Sequence, residues 1–266
     1  MNRLLLSVST ACLVLATTAT PALAGNRVTV VQNGSTLIVQ TIQDKGSNGL
    51  INIDQVGIRN TVRLDQNDVD GGLDRGAGAA TAAFITQAGH DNTINTFTTV
   101  TTPLLGQRET AYGQGNITVQ ISQDGDHNAA NFDQSGDYQH IIFYQQGHGN
   151  ETDMAQADSG NNLDATQSGE NNAARLKQPG TNGTMKLDQG GSNNQLASVQ
   201  FGNSDFADLH QSGTGNYAAV NQYSDNDEAL LNQHGTNGFV VVQQTTANAM
   251  ANLSQVGTGN SITSVQ

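Results

Sequence analysis

The sequence predicts an all-β fold: a two-sheet parallel β-solenoid of cross-β type, made of about ten 22-residue strand–turn–strand repeats. Three observations predict it. Gln stands at every eleventh position from Gln123 to Gln266. The residues between turns alternate apolar and polar with period two, the signature of a strand with one buried face. Composition leaves little for an ordinary globular core. Gln, Asn and Gly make 86 of the 266 residues, and Leu, Ile, Val and Phe are only about 20% of the chain beyond residue 24, on the border of disorder.

Residues 1–24 read as a secretory signal peptide. Arg3 is the positive n-region, Leu4 to Ala16 the short apolar core, and Ala22-Leu23-Ala24 the small-residue cleavage site. The single cysteine, Cys12, lies inside it, so the mature chain is expected to have no disulfide, thiol nucleophile or cysteine metal site. Net charge is −13 and becomes −14 without Arg3. A surface this acidic is a poor partner for nucleic acid. No stretch after residue 24 approaches the ~20 apolar residues of a membrane-spanning helix.

The repeat is 22 residues, because alternate turns differ. After Gln123, Gln145, Gln167, Gln189, Gln211, Gln233 and Gln255, Gly always follows at +2: Gly125, Gly147, Gly169, Gly191, Gly213, Gly235 and Gly257. Asn follows at +5 in all but one case: Asn128, Asn150, Asn172, Asn194, Asn216 and Asn260, with Gly238 the exception. Upstream copies are Gln55, Gly57, Asn60 and Gln87, Gly89, Asn92, with a partial copy at Gln32 to Gly34. The second Gln of each repeat comes eleven residues after the first: Gln66, Gln134, Gln156, Gln178, Gln200, Gln222, Gln244 and Gln266, with Thr98 replacing Gln once. Length irregularities fall in the other turn type and should emerge on one edge of a solenoid. The chain thus divides into 1–24, then 25–116 with three repeats and insertions at 67–81 and 99–115, then seven regular repeats over 117–266.

Each slot has a physical reading. Two and four residues before each first Gln the chain is apolar every time, from Val30 and Val28 to Leu253 and Ala251. The second strand shows the same face, as in Asn128/Ala130/Phe132/Gln134. One rung cannot stabilise itself, because its backbone pairs only with rungs above and below. Stacking at ~4.8 Å aligns like residues, so the Gln and Asn named above are read as a buried stacking ladder of amides. Gly at +2 suits a turn with positive φ, and Asn at +5 tolerates similar geometry. The turn acids Asp124, Asp126, Asp205, Asp225 and Asp227 are read as gatekeepers against premature assembly, or equally as ordinary solvated turn residues.

No catalytic, metal or cofactor site is expected. The six His do not recur in one register, and Asp68 to Asp74 lacks the spacing and terminal Glu of a calcium loop. No nucleophile–His–acid set stands out from the repeat.

The pattern Gln-x-Gly-x-x-Asn, with Gln six residues later, in tandem behind a signal peptide resembles the curlin repeat over residues 26–266. The resemblance implies a secreted subunit of curli-like amyloid fibres at the cell surface, serving biofilm matrix and adhesion. It implies export through an outer-membrane channel with accessory factors, and self-assembly together with a second curlin subunit. Half-repeats of equal length resemble the minor, nucleating curlin at least as much as the major one. Strand residues start by Val28, where the major subunit typically carries a Gly-rich leader. The stack is expected to be uncapped at both ends. The competing class is a monomeric β-solenoid binding module, for glycan or ice for instance.

Overall fold

The computed structural model describes residues 3–9, 14–19, 27–44, 50–69, 81–101, 117–136 and 138–266. The strands come in pairs, one pair per rung. They are β1 (Arg3–Ser9) and β2 (Val14–Ala19), β3 (Arg27–Ser35) and β4 (Ile38–Asp44), β5 (Leu50–Ile58) and β6 (Thr61–Val69), β7 (Thr81–His90) and β8 (Thr93–Thr101). Next come β9 (Ile117–Asp126) and β10 (Ala129–Ser135), β11 (His140–His148) and β12 (Glu151–Gln156), β13 (Asn162–Glu170) and β14 (Ala173–Gln178). The last are β15 (Thr184–Gln189) and β16 (Gln195–Gln200), β17 (Phe206–Thr214) and β18 (Tyr217–Gln222), β19 (Glu228–Thr236) and β20 (Phe239–Gln244), β21 (Met250–Thr258) and β22 (Ser261–Val265).

Odd strands form one eleven-stranded sheet and even strands another, each in strict sequence order. All pairings are parallel. Two-residue turns lead from most odd strands to the next even strand, and turns of four or five residues lead back in the regular rungs, so the chain crosses to the opposite sheet and returns one rung further on. The ten rungs from β3/β4 to β21/β22 make nine steps of a β-solenoid. Among the described residues there is no helix.

Register is set by the repeat slots. Gln123, Gln145, Gln167, Gln189, Gln211, Gln233 and Gln255 pair in one line, and Gln55, Gln87 and Gln123 keep it across the longer steps. The extra residues sit between an even strand and the next odd one, where length can change without shifting either sheet. The insertions read at 67–81 and 99–115 lie outside the described residues at 70–80 and 102–115. The proposed cleavage site at 22–24 and the acidic run from Asp70 to Asp74 lie outside them too. β1 and β2, within the segment read as a signal peptide, pair with β3 and β4 in the uncleaved chain.

The core is the space between the sheets. Inward positions of both sheets are buried and outward ones are not, as β13 and β14 show with strict alternation. Ile51, Ala83, Val119, Ile141, Leu163, Met185, Ala207, Ala229 and Ala251 form one buried column, and Ile53, Ile85, Ile121, Phe143, Ala165, Leu187, Leu209 and Leu231 the next. Phe132 and Phe143 meet edge to face across the core at 5.4 Å.

The +2 glycines answer two demands. Their φ is positive throughout, from 98° at Gly191 to 144° at Gly34, a region that costs an L-residue. A Cβ built on Gly169 would also run into the carbonyl oxygen of Gly191, one rung on, and the same contact repeats from Gly34 to Gly235. Apart from Gly136 and Asp158, two residues after Gln134 and Gln156, the remaining left-handed residues stand at +4, among them Arg59, Asp91, His127, Asn171, Asn193 and Asn237. This corrects the reading of the +5 Asn as a positive-φ turn residue; the chain reverses one position earlier.

Gly169→Ala should therefore destabilise the stack by at least about 2 kcal/mol, seen as a lowered denaturation midpoint. Gly190→Ala is the control. Its φ is not in that region and its Cβ would meet only Ser168 Oγ, at 3.4 Å, so it should change little.

Candidate functional site: the stacking contacts between rungs

The first Gln of each rung ends an inward row of three, behind two apolar residues, and is fully buried. Burial removes water from a primary amide, which then needs protein partners for two N–H groups and an oxygen. The neighbouring rung supplies them. Gln32 Nε2 donates to Gln55 Oε1 at 2.7 Å, Gln55 to Gln87 at 2.8 Å, and Gln87 to Gln123 at 2.8 Å. The line runs on through Gln145, Gln167, Gln189, Gln211, Gln233 and Gln255 at 2.6–2.8 Å. Each donor belongs to the earlier rung and each acceptor to the later, so the ladder has a direction. The second N–H goes to a backbone carbonyl sixteen residues back, as in Gln211 to Gln195 O at 3.1 Å. That bond ties the odd strand to the even strand of the preceding rung.

The second Gln line is shorter. Gln134, Gln156, Gln178 and Gln200 donate in the same sense, the last of them to Gln222, at 2.8–2.9 Å. Gln134 is preceded in register by Thr98, which has no amide, and Gln134 Oε1 has no donor among the described residues. Gln244 Oε1 likewise has none. Gln244 and Gln266 instead donate to Glu228 O and Met250 O. The side chain of Gln66 lies outside the described residues; its backbone pairs with Gln43 and Thr98.

The +5 Asn works on backbone rather than on its own kind. Asn172 Nδ2 donates to Ser168 O in its own turn at 2.8 Å and to Gly191 O one rung on at 2.9 Å. Its Oδ1 accepts the backbone N–H of Asn194 at 3.0 Å. Asn60, Asn92, Asn128, Asn150, Asn194 and Asn216 repeat the pattern. One side chain thus closes its own turn and fastens the next one to it. Only Asn150 adds a side-chain bond, to Asn128 Oδ1 at 3.2 Å. The all-amide ladder expected for Asn is therefore a side-chain-to-backbone ladder. Asn260 is exposed, and its side chain donates to Val256 O at 2.7 Å.

The equivalent slot of the second turn holds Gln139, Asn161, Gly183, Asp205, Asp227 and Ala249, and the repeat pattern did not mark it as a site. Asn161 behaves as the first-turn Asn does, donating to Ala157 O and accepting from Gly183 N. Asp205 and Asp227 are each 1% exposed. Neither carboxylate can donate, so they collect backbone N–H groups. Asp205 accepts from Gly202 at 3.1 Å and from Asp227 at 3.0 Å; Asp227 accepts from Ser224 at 3.3 Å and from Ala249 at 3.0 Å. This corrects their reading as solvated turn acids or gatekeepers. Burial pushes the Asp205 carboxyl up to about 6, backbone donors pull it partly back, and the neighbouring Asp227 adds to the rise. Elsewhere on the turns charges meet across rungs in the open. Arg59 donates twice to Asp91, at 2.5 and 2.6 Å, which holds that carboxyl below the usual range.

The His127 and His148 rings lie 5.0 Å apart and are tilted by 59° to one another. Among the described residues no group of three or more His, Cys, Asp or Glu could hold a metal ion, and no helix is long and apolar enough to cross a membrane.

Two predictions follow from burial. Gln167→Ala strands Gln145 Nε2, Gln189 Oε1 and the Thr152 hydroxyl that donates to Gln167 Oε1. It should cost about 2–4 kcal/mol in chemical denaturation, whereas Gln146→Ala, exposed beside it, should cost almost nothing. For Asp205 the folded-state pKa lies above the unfolded 3.8. Its contribution is fully present below pH 4 and lost as pH rises through about 6. The Asp205→Asn chain should lose that dependence, read from denaturation midpoints across pH 4–8, and should gain no net stability, because its amide nitrogen cannot accept the backbone N–H that the second carboxylate oxygen accepts.

A comparison with curated proteins gives no match. A comparison with protein families gives a match over β17, β18 and most of β19, a stretch that includes Gln211, Gly213, Asn216, Gln222, Asp227 and Gln233. Residues 202–235 match the curlin associated repeat, and with the same register running through the stack the chain is consistent with a curlin-repeat protein.

Proposed function

We propose that the chain is a secreted structural subunit that polymerises into curli-like amyloid fibres by stacking β-solenoid rungs between molecules, serving surface adhesion and biofilm matrix. One observation carries the reading. What each rung offers the next (a Gln donor, an Asn oxygen, an Asn amide donor for the next Gly carbonyl and a strand edge) is what the next rung offers in turn. A contact that repeats by pure translation has no built-in length. The same contact that joins Gln189 to Gln211 within the chain can join rungs of two chains. The curlin-repeat match supports placing such a polymer outside the cell. A cleaved signal at 1–24, an outer-membrane export channel with accessory factors, and a second curlin subunit as partner belong to the same proposal.

A second reading is a nucleating role, favoured by half-repeats that keep eleven residues from first Gln to second Gln throughout the regular rungs. Residues 25–266, purified unfolded and diluted from denaturant, should convert after a lag into dye-binding unbranched fibres, and added fibre fragments should abolish the lag. Cross-seeding of a second curlin subunit, at substoichiometric amounts, would favour the nucleator. A stable monomer with no seeding activity would refute both and leave the monomeric binding module.

A further inference from the structure

The outward faces of the stack differ along the chain in a way the repeat does not require. On β10, β12 and β14 the outward positions include Asp133, Glu151, Asp153, Arg175 and Lys177. On β16, β18, β20 and β22 they hold no Asp, Glu, Lys, Arg or His. The odd-sheet face behind these strands is charged again, with Lys186, Asp188, Asp208 and Glu228. A charge-free, four-strand face is thus confined to one side of the last four rungs.

Its relief is simple. Ala197, Ala219 and Val241 pair in register as a low central strip, with Val199, Asn221 and Gln243 in the row beside it. Tyr217 and Phe239 stack at 5.2 Å, nearly parallel, along one margin. Phe201 and Tyr223 stack at 5.4 Å along the other, on backbone that still pairs rung to rung through Phe201 N–Gln222 O and Tyr223 N–Gln244 O. All four rings are exposed.

We propose that this even-sheet face is where two stacks of the chain lie side by side, each occupied by the same face of a second copy. Charge selects the occupant. At a net charge of −13 like chains repel, and this is the approach that brings no carboxylate against another. Shape agrees: an aromatic ridge of one copy fits the Ala/Val strip of the other, at the ~10 Å spacing of packed sheets. Area sets the strength. Four strands at ~4.8 Å, each about 20 Å long, give roughly 400 Å² per copy, well short of the ~1,200 Å² total of a stable interface. Two single chains therefore pair weakly. A fibre repeats the patch in every subunit, and the contacts add as avidity. In that respect the inference rests on the fibre reading.

The test uses residues 25–266, which contain no cysteine. Ala219→Cys places a thiol in the centre of the face, and Asn232→Cys places one on the outward face of the odd sheet. Under mild oxidation of assembled chains, Ala219→Cys should form disulfide-linked dimers at least ten-fold faster than Asn232→Cys. Adding Val241→Lys should abolish that dimer and leave single filaments in place of paired ones, with fibre formation itself unchanged. Equal crosslinking at the two positions, or a dimer indifferent to Val241→Lys, would overturn the inference. If no fibres form, the fibre reading fails by itself. The same crosslink measured on concentrated unassembled chain then decides the surface, and absence of an Ala219→Cys preference there overturns it.

Discussion

A buried primary amide has nowhere to send its hydrogens except to a neighbour placed at the right height. The rest of the structure depends on that constraint. Gln145, Gln167, Gln189 and Gln211 are shut away from water, and each finds its oxygen partner one rung on. Register cannot slip by one residue without turning every Gln outward and every Leu with it. Nor can a rung be looped out without exposing its own apolar pair and leaving its amide off the ladder. Apolar burial alone would tolerate such errors, since Ala229 and Ile51 occupy the same column as Met185. The amides supply the specificity that a small, mixed apolar core lacks, because an unmet buried amide costs more than a met one gains.

Turn chemistry follows from the same translation. The +2 glycine needs positive φ, and it also lies under the carbonyl of the glycine above. The +5 Asn then uses that carbonyl, closing its own turn and clamping the next. Gly and Asn recur together because the two residues form one contact between rungs. Where the second turn departs from Gly and Asn, the backbone N–H groups still need acceptors, and Asp205 and Asp227 provide them at the expense of burying charge. The stack is thereby tuned by pH in one turn while its main ladder is not ionisable.

Much of this was legible in the sequence because translation makes every rung a repeat measurement. The eleven-residue Gln interval, the +2 Gly and the inward apolar pairs gave the parallel two-sheet solenoid and its register directly. What was not legible has a common cause. The left-handed position at +4 holds Thr, Arg, Asp, His, Asn or Gly, so no residue type marks it. The buried second-turn slot holds Gln139, Asn161, Gly183, Asp205, Asp227 and Ala249; Asp205 reads as a solvated turn acid until the backbone donors around it are known. Asn at +5 is periodic, yet periodicity does not say whether its partner is another amide or a backbone carbonyl. The charge-free face of β16 to β22 was visible only as variability between repeats, since its meaning depends on which strands are neighbours.

The account stands on directional Gln-to-Gln hydrogen bonding between rungs, within the chain and, by the same geometry, between chains. Solid-state NMR of assembled chains, labelled only at the Gln side-chain amide nitrogen and carbonyl carbon, measures it most directly. The account predicts strong transfer from one Gln Nε2 to the side-chain carbonyl of another, with these signals protected from exchange with solvent. Rapidly exchanging Gln amides with no transfer between side chains would contradict it.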